Sequence, residues 1–189
     1  GAPKNDVYLM LNKPVGITCT TDQRVKGNVV DFINFPERIF HVGRLDKPSE
    51  GLLLMTNDGD IVNKILRAGN RHEKEYIVRV DRPINSDFVQ RMSRGIPILE
   101  TVTKPCTVER LSRFVFRIVL VQGMNRQMRL MCAYLNDDVM SLKRVSIMNL
   151  PMGELPNGQW RHRTPEVSQV LQESVIHSAN TPLSAPDVQ

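Results

Sequence analysis

Cysteine is scarce in this chain. Cys19, Cys106 and Cys132 are odd in number and far apart, and no Cys-x-x-Cys pair occurs. A disulfide scaffold is excluded, and a reducing, cytoplasmic setting is expected. The four histidines, His41, His72, His162 and His177, are equally scattered, with no His-x-x-x-His and no carboxylate cluster at ligand spacing. No metal is expected. Glycine-rich phosphate fingerprints are missing too. There is no Gly-x-x-x-x-Gly-Lys, and no Gly-x-Gly-x-x-Gly opens a helix after a strand, which disfavours nucleotide cofactors. No apolar run reaches the length of a membrane span, and Gly1-Ala2-Pro3-Lys4-Asn5-Asp6 lacks the basic-then-apolar order of a signal peptide. The expectation is a protein without cofactor or membrane attachment.

What is present is enough apolar substance for a core. Of 189 residues, 41% are hydrophobic, so one substantial core can form, with room for two lobes, without disulfides or metal. Lys and Arg number 25 against 20 Asp and Glu, a formal net charge of +5. That balance suits a polyanionic partner and does not by itself identify one.

One stretch stands out. In Gly43-Arg44-Leu45-Asp46-Lys47-Pro48-Ser49-Glu50-Gly51-Leu52 an acid sits between two basic side chains, with glycine near both ends and proline inside. The run Leu52-Leu53-Leu54-Met55 reads as a buried strand, Gly51 permits close backbone approach, and Pro48 pushes Lys47 toward an extended conformation. Asp46 is therefore expected on a rigid loop at a strand's edge. Two readings are open at this point: a catalytic loop that positions one carboxylate, or a turn whose Asp pairs locally with Arg44 or Lys47.

Around this loop the chain punctuates itself. Val7 to Leu11 reads as a strand closed by a turn at Pro14 and Gly16, and Ile17 to Thr20 as a second strand. Asn28 can cap a short helix, Val29 to Phe35, which Pro36 ends, and Ile39 to Val42 leads a strand into the loop. After Leu52 to Thr56, Asn57-Asp58-Gly59-Asp60 offers caps for a helix carrying Ile61, Val62, Ile65 and Leu66 on one face. Glu75 to Val80 alternates, putting Tyr76, Val78 and Val80 on the core side. Ser86 to Met92 is a predicted helix, and Thr101 to Glu109 with Phe114 to Val121 two long antiparallel strands.

In the helix that runs to about Leu135, Met124, Met128, Met131 and Leu135 share one face, with Arg126 and Arg129 on the next. The last strands run through Val139 to Asn149, and a final helix from Thr164 to about Val175. From His177 onward the Ser, Ala, Pro and Asn content predicts disorder. Strands with separate helices between them, without regular beta-alpha alternation, argue for an α+β fold around a mixed, largely antiparallel sheet.

Four motifs follow one another along the chain: Asn12-Lys13-Pro14-Val15-Gly16, the Asp46 loop, Lys74-Glu75-Tyr76, and Arg126-Gln127-Met128-Arg129. In order and approximate spacing the chain resembles the pseudouridine synthases, in particular the branch that modifies ribosomal RNA. Within it, Thr56 to Asn70 running into Glu73-Lys74-Glu75-Tyr76 is most similar to the F type of large-subunit enzyme. The resemblance covers roughly residues 7 to 165, and it implies two lobes with a central cleft, helices on the flanks, and isomerisation of uridine in RNA without a cofactor.

The same resemblance assigns roles. Asp46 matches the catalytic aspartate, which as an ionised carboxylate can add to C6 of uracil, attack C1′, or deprotonate C2′. Arg129 matches the basic residue that pairs with it and keeps it ionised. Tyr76 matches the aromatic that lies against the uracil. Arg44 matches the arginine that moves toward the gap left by a flipped-out base, and Met128 the apolar lining of the uracil pocket. Lys13 and Pro14 belong to a supporting motif. Among the remaining basic residues, Arg67 and Arg71 are the best candidates for RNA contact, with Lys74 and Arg126 also able to track phosphates. Against this, Glu73, Glu75 and Asp81 are interspersed, as on an ordinary solvated face.

Two departures matter. Arg129-Leu130-Met131 stands where relatives carry two basic residues ahead of the methionine. Relatives of this type also usually begin with a small helical RNA-binding module, so the chain is expected to be either a fragment or a natural short form. The expected organisation is a flexible segment 1–6, a catalytic domain 7–176 and a disordered tail 177–189, acting as a monomer on large-subunit ribosomal RNA, with transfer RNA a further candidate. The competing readings are a non-catalytic RNA-binding or chaperone module on the same fold, and a magnesium-dependent phosphatase. The second is disfavoured, because proline occupies position 48 where such enzymes carry another carboxylate.

Overall fold

The computed structural model describes residues 6–67 and 72–180. In chain order the elements begin with β1 (Tyr8–Lys13), α1 (Val29–Ile33), β2 (Phe40–Val42), β3 (Glu50–Thr56) and α2 (Gly59–Arg67). Next come β4 (Lys74–Val80), α3 (Ser86–Arg94), β5 (Pro97–Ile98), β6 (Thr101–Val102), β7 (Thr107–Arg110) and β8 (Val115–Leu120). The chain continues with α4 (Gln127–Tyr134), β9 (Val139–Ile147), β10 (Leu150–Pro151), β11 (Trp160–His162) and α5 (Thr164–Asn180). The fold is α+β. Of the described residues, 6–67 and 150–180 form one compact unit and 72–149 the other. Among the described residues no helix is long and apolar enough to cross a membrane.

In the first unit β1 lies antiparallel between β11 and β3, and β2 also pairs with β3. The continuous run Leu52 to Met55 has no solvent exposure, as expected of a strand covered on both faces. Helix α5 packs on β1 and against α2, burying Val167 and Leu171. Helix α1 starts where Asn28 accepts a bond from Asp31 N, and it ends at Asn34 in the left-handed conformation, ahead of Pro36. Asp58 caps α2 in the same way, accepting from Asp60 N and Ile61 N.

In the second unit β4 lies antiparallel between β8 and β9, and β7 pairs with β8. One face of this sheet carries Val78, Val80, Phe116, Ile118, Leu120 and Leu142 into a core shared with α3 and α4. Phe88 of α3 meets Phe116 edge-on at 5.2 Å. Met124, Met128 and Met131 are all buried in this core, so the methionine stripe packs, with Leu135 against it.

Three expectations are corrected. Ile17 to Thr20 forms no ladder strand, only a single parallel bridge between Thr18 and Asn28. Its backbone groups are taken locally: Ile17 O by the Lys13 ammonium, Thr18 N by Gly27 O, and Thr18 O by Val29 N. The long strand Thr101 to Glu109 is split. Thr101–Val102 turns back on Pro97–Ile98 through Leu99 and Glu100, both at positive φ, and β7 begins only at Thr107, beyond Pro105, which has no N–H to give a ladder. The tail expected to be disordered from His177 starts inside α5, which continues to Asn180, while 181–189 lie outside the described residues.

Candidate active site

Asp46 sits in the loop between β2 and β3 of the first unit, half-buried, with Arg44 and Lys47 exposed on either side. The backbone around it is pinned. Asp46 O accepts from Ser49 N at 2.9 Å, closing a turn that contains Pro48, and Ser49 itself is buried. Gly43 and Gly51, which bracket the loop, have φ of +77° and +113°, the region that favours glycine. Leu45 N donates to the Cys19 sulfur at 3.4 Å, and Gly16 N to Lys47 O at 2.8 Å.

Lys13 completes this support. It is wholly buried at the end of β1, where its ammonium donates to Pro14 O at 2.9 Å, Ile17 O at 2.7 Å and Lys47 O at 3.4 Å. Burial pulls its pKa down, opposed by nearby Cys19 and by the carboxylates of Asp46 and Glu50. The supporting role expected of the Lys13-Pro14 motif corresponds to this geometry: one cation joins two carbonyls of the segment after β1 to the Lys47 carbonyl within the Asp46 turn.

The other candidates of the catalytic set lie in the second unit. Tyr76 is half-buried on β4 and packs against the core that contains Met128. Met128 is 3% exposed on α4. Arg129, one residue on, is half-buried with its Nε out of solvent, and its positive charge reaches Cys132. Arg126 caps the start of α4 in the left-handed conformation, exposed, with no side-chain capping bond. Cys106 and Cys132 are pushed up by burial to about 11 and about 12, so both remain thiols rather than nucleophilic thiolates. Among the described residues no His, Cys, Asp and Glu cluster could hold a metal ion.

Lys74 joins Tyr76. Two residues apart on β4, they face the same side of the sheet. Glu75, between them, faces the other way, where its carboxylate accepts from Arg117 at 2.8 Å, and Arg117 also donates to Glu109 at 3.1 Å. The mixture of charges seen along the sequence is therefore sorted by strand alternation. The Tyr76 face also holds a cation that sequence reading passed over. Arg144 of β9 stands opposite Tyr76 in the ladder and is 3% exposed. Burial, then the charge of Arg144, lowers the Lys74 amine to about 8, and Lys74 in turn adds to the burial that lowers His72. The only signal for Arg144 in sequence was its place in a strand.

Arg67, on α2 of the first unit, is exposed, as is Lys64. Arg71 lies outside the described residues.

Comparison with known proteins gives this arrangement its context. Residues 7–134 match the RNA pseudouridylate synthase family. The chain is similar to the dual-specificity RNA pseudouridine synthase RluF of Salmonella typhi, 55% identical over 160 residues, covering 85% of this chain and 55% of that one. It spans about half the length of such relatives. It is 32% identical over 182 residues to the ribosomal large subunit pseudouridine synthase B of Bacillus subtilis (strain 168), covering 92% of this chain and 75% of that one. A crystal structure of a pseudouridylate synthase superposes with a TM-score of 0.80 at 28% identity, over 89% of this chain and 75% of that one. By the family match, and by a relative it covers over most of that relative's length, this chain belongs to the RNA pseudouridylate synthases.

Proposed function

We propose that this chain isomerises uridine to pseudouridine in RNA, with Asp46 as the reacting carboxylate. The observation that carries the reading is the Asp46 loop itself: a family signature, inside the matched span, on a turn fixed by Lys13, Gly16 and Ser49. In the reaction the N1–C1′ bond breaks and a C5–C1′ bond forms. C5 gives up a proton and N1 takes one, so no cofactor, oxidant or co-substrate enters the balance. Tyr76 is proposed to lie against the uracil, Met128 to line its pocket, and Arg129 to pair with the carboxylate and hold it charged. Arg44 fills the gap behind a base that has left its stack, since a base within folded RNA has to be flipped out to react. Arg67, Arg71, Lys74 and Arg126 contact the RNA backbone.

Large-subunit ribosomal RNA is the proposed substrate, with transfer RNA as a second class. One relative's name specifies the ribosomal large subunit and another's states dual specificity, and both support an RNA substrate. A monomer working in the cytoplasm completes the proposal. The test maps new pseudouridines by reverse-transcription stops after adduct formation, on ribosomal and transfer RNA incubated with wild-type protein, Asp46→Asn or Asp46→Ala. Loss of product in both variants with RNA binding kept is the expected result. Product from either variant, or none from wild type, overturns the reading, and binding without any turnover leaves the RNA-binding module in its place.

A further inference from the structure

The chain leaves β2 through Gly43, and the way it turns there decides where Arg44 and Asp46 stand. Gly43 has φ of +77°, while a Cβ built on it would meet nothing within 4 Å. Glycine is therefore needed here for its backbone conformation and not for room. It reaches that conformation without steric cost, yet it reaches many others as readily. Something else has to select the one observed.

The selecting contact comes from His41. Its Nδ1 lies 2.7 Å from Gly43 O, so a half-buried imidazole on β2 spans the turn and closes it. Gly43 O can only accept, which means that Nδ1 carries the proton and donates. That holds for the neutral ring and for the protonated one. The backbone of His41 is fixed in turn, because it pairs with Met55 in the β2–β3 ladder and Met55 has no solvent exposure. The imidazole thus hangs from a strand anchored in the core.

The two limbs of the loop are held differently. Beyond Asp46, Ser49 N donates to Asp46 O at 2.9 Å, and Lys47 O accepts from Gly16 N at 2.8 Å and from the Lys13 ammonium at 3.4 Å. Ahead of Asp46, Leu45 N donates to the Cys19 sulfur at 3.4 Å, and sulfur is a weak acceptor. The 2.7 Å bond from His41 is the stronger hold of the two on this limb.

We propose that His41 is a positioning residue for the Asp46 loop: its Nδ1–H fixes the Gly43 turn and, through it, the placement of Arg44 and of the carboxylate. The role deepens the proposed function and rests on it for the reaction that Asp46 performs. His41 touches no substrate in this role and transfers no proton.

The test compares wild type with His41→Asn, His41→Leu and His41→Ala. The Asn amide nitrogen takes the place of Nδ1 and keeps the donor, whereas Leu and Ala remove it. Measured are single-turnover pseudouridine formation at saturating large-subunit ribosomal RNA, RNA affinity, and amide hydrogen exchange by NMR at Leu45 and Ser49. His41→Leu and His41→Ala should turn over on the order of tenfold more slowly with affinity within about twofold of wild type, since a small displacement of a reacting group is costly and no RNA contact is lost. The Leu45 amide should exchange about tenfold faster in both, as a local opening of that limb becomes easier, with Ser49 on the other limb unchanged. His41→Asn should match wild type in every measurement. Should His41→Leu not fold, His41→Ala carries the loss. Turnover in His41→Ala equal to wild type overturns the role, as does slow turnover without faster exchange at Leu45 or with a matching loss of RNA affinity. His41→Asn as slow as His41→Ala overturns it too, because the imidazole itself is then required. An active wild type beside such results leaves the proposed function standing. An inactive wild type in which Leu45 exchange still follows the donor at position 41 keeps the latch and removes the reaction.

Discussion

The buried ammonium of Lys13 donates to the backbone carbonyl of Lys47 at 3.4 Å, one residue past Asp46. The same ammonium binds Ile17 O at 2.7 Å and Pro14 O at 2.9 Å, so a single side chain ties the end of β1 to the turn that carries the carboxylate. Lys13→Met keeps the volume and leaves three carbonyls without their donor. Unfolding in urea should show a loss on the order of 1–3 kcal/mol. Turnover should fall while RNA affinity holds, because the Asp46 turn loses an anchor and the RNA loses no contact. Turnover equal to wild type would separate Lys13 from the positioning of Asp46.

Arg129 is proposed to hold the reacting carboxylate charged, and a planar guanidinium does this with two parallel bonds. Arg129→Lys keeps the charge without the fork, and Arg129→Ala keeps neither. Single-turnover rates of pseudouridine formation should rank wild type above Arg129→Lys and Arg129→Ala last. Arg129→Ala matching wild type would take the residue out of the chemistry.

Lys74 makes stability depend on pH with a definite sign. Its amine titrates at 10.5 when unperturbed and at about 8 in the folded chain, where burial and Arg144 disfavour the charge. Between those values the unfolded chain holds more protons than the folded one, so raising the pH through the window stabilises the fold. The penalty is complete below about pH 8 and gone above 10.5. Lys74→Met, which has no charge to bury, should be more stable than wild type at pH 7, and the gap should close as the pH rises from 8 to 10.5. Arg144 is the charged group acting on Lys74, His72 beside it is a neutral imidazole across this window, and Glu75, Arg117 and Glu109 lie on the far face. A gap independent of pH would show that Lys74 is not the titrating group.

The Glu75–Arg117–Glu109 cluster supplies a control. It is half-exposed and lies on the face away from Tyr76. Glu75→Gln should leave RNA affinity and pseudouridine formation within about twofold of wild type, since exposed ion pairs contribute little and no RNA-facing cation is touched. A large change would mean that the two faces of β4 are not electrostatically separate.

Local chemistry was enough for several features. Asn28 and Asp58 start their helices, Pro36 follows the end of one, and Leu52 to Met55 are buried as their unbroken apolar run implies. The order of motifs around Asp46, Tyr76 and Arg129 was enough for the family. Those signals are short-range, and the physics that reads them acts within a few residues. The rest depended on partners far along the chain. Ile17 to Thr20 had strand composition, but the Lys13 ammonium and the segment at Gly27 to Val29 claimed its backbone groups first. Thr101 to Glu109 read as one strand until Thr101–Val102 found Pro97–Ile98 to pair with. Alternation along β4 put Lys74 with Tyr76 and Glu75 opposite, yet whether that face was wet or dry depended on α4 packing over it and β9 pairing beside it. Arg144 shows the limit most clearly. Which face it takes is set by a single skipped residue between two strands far apart in the chain, and register of that kind exists only once the strands have met.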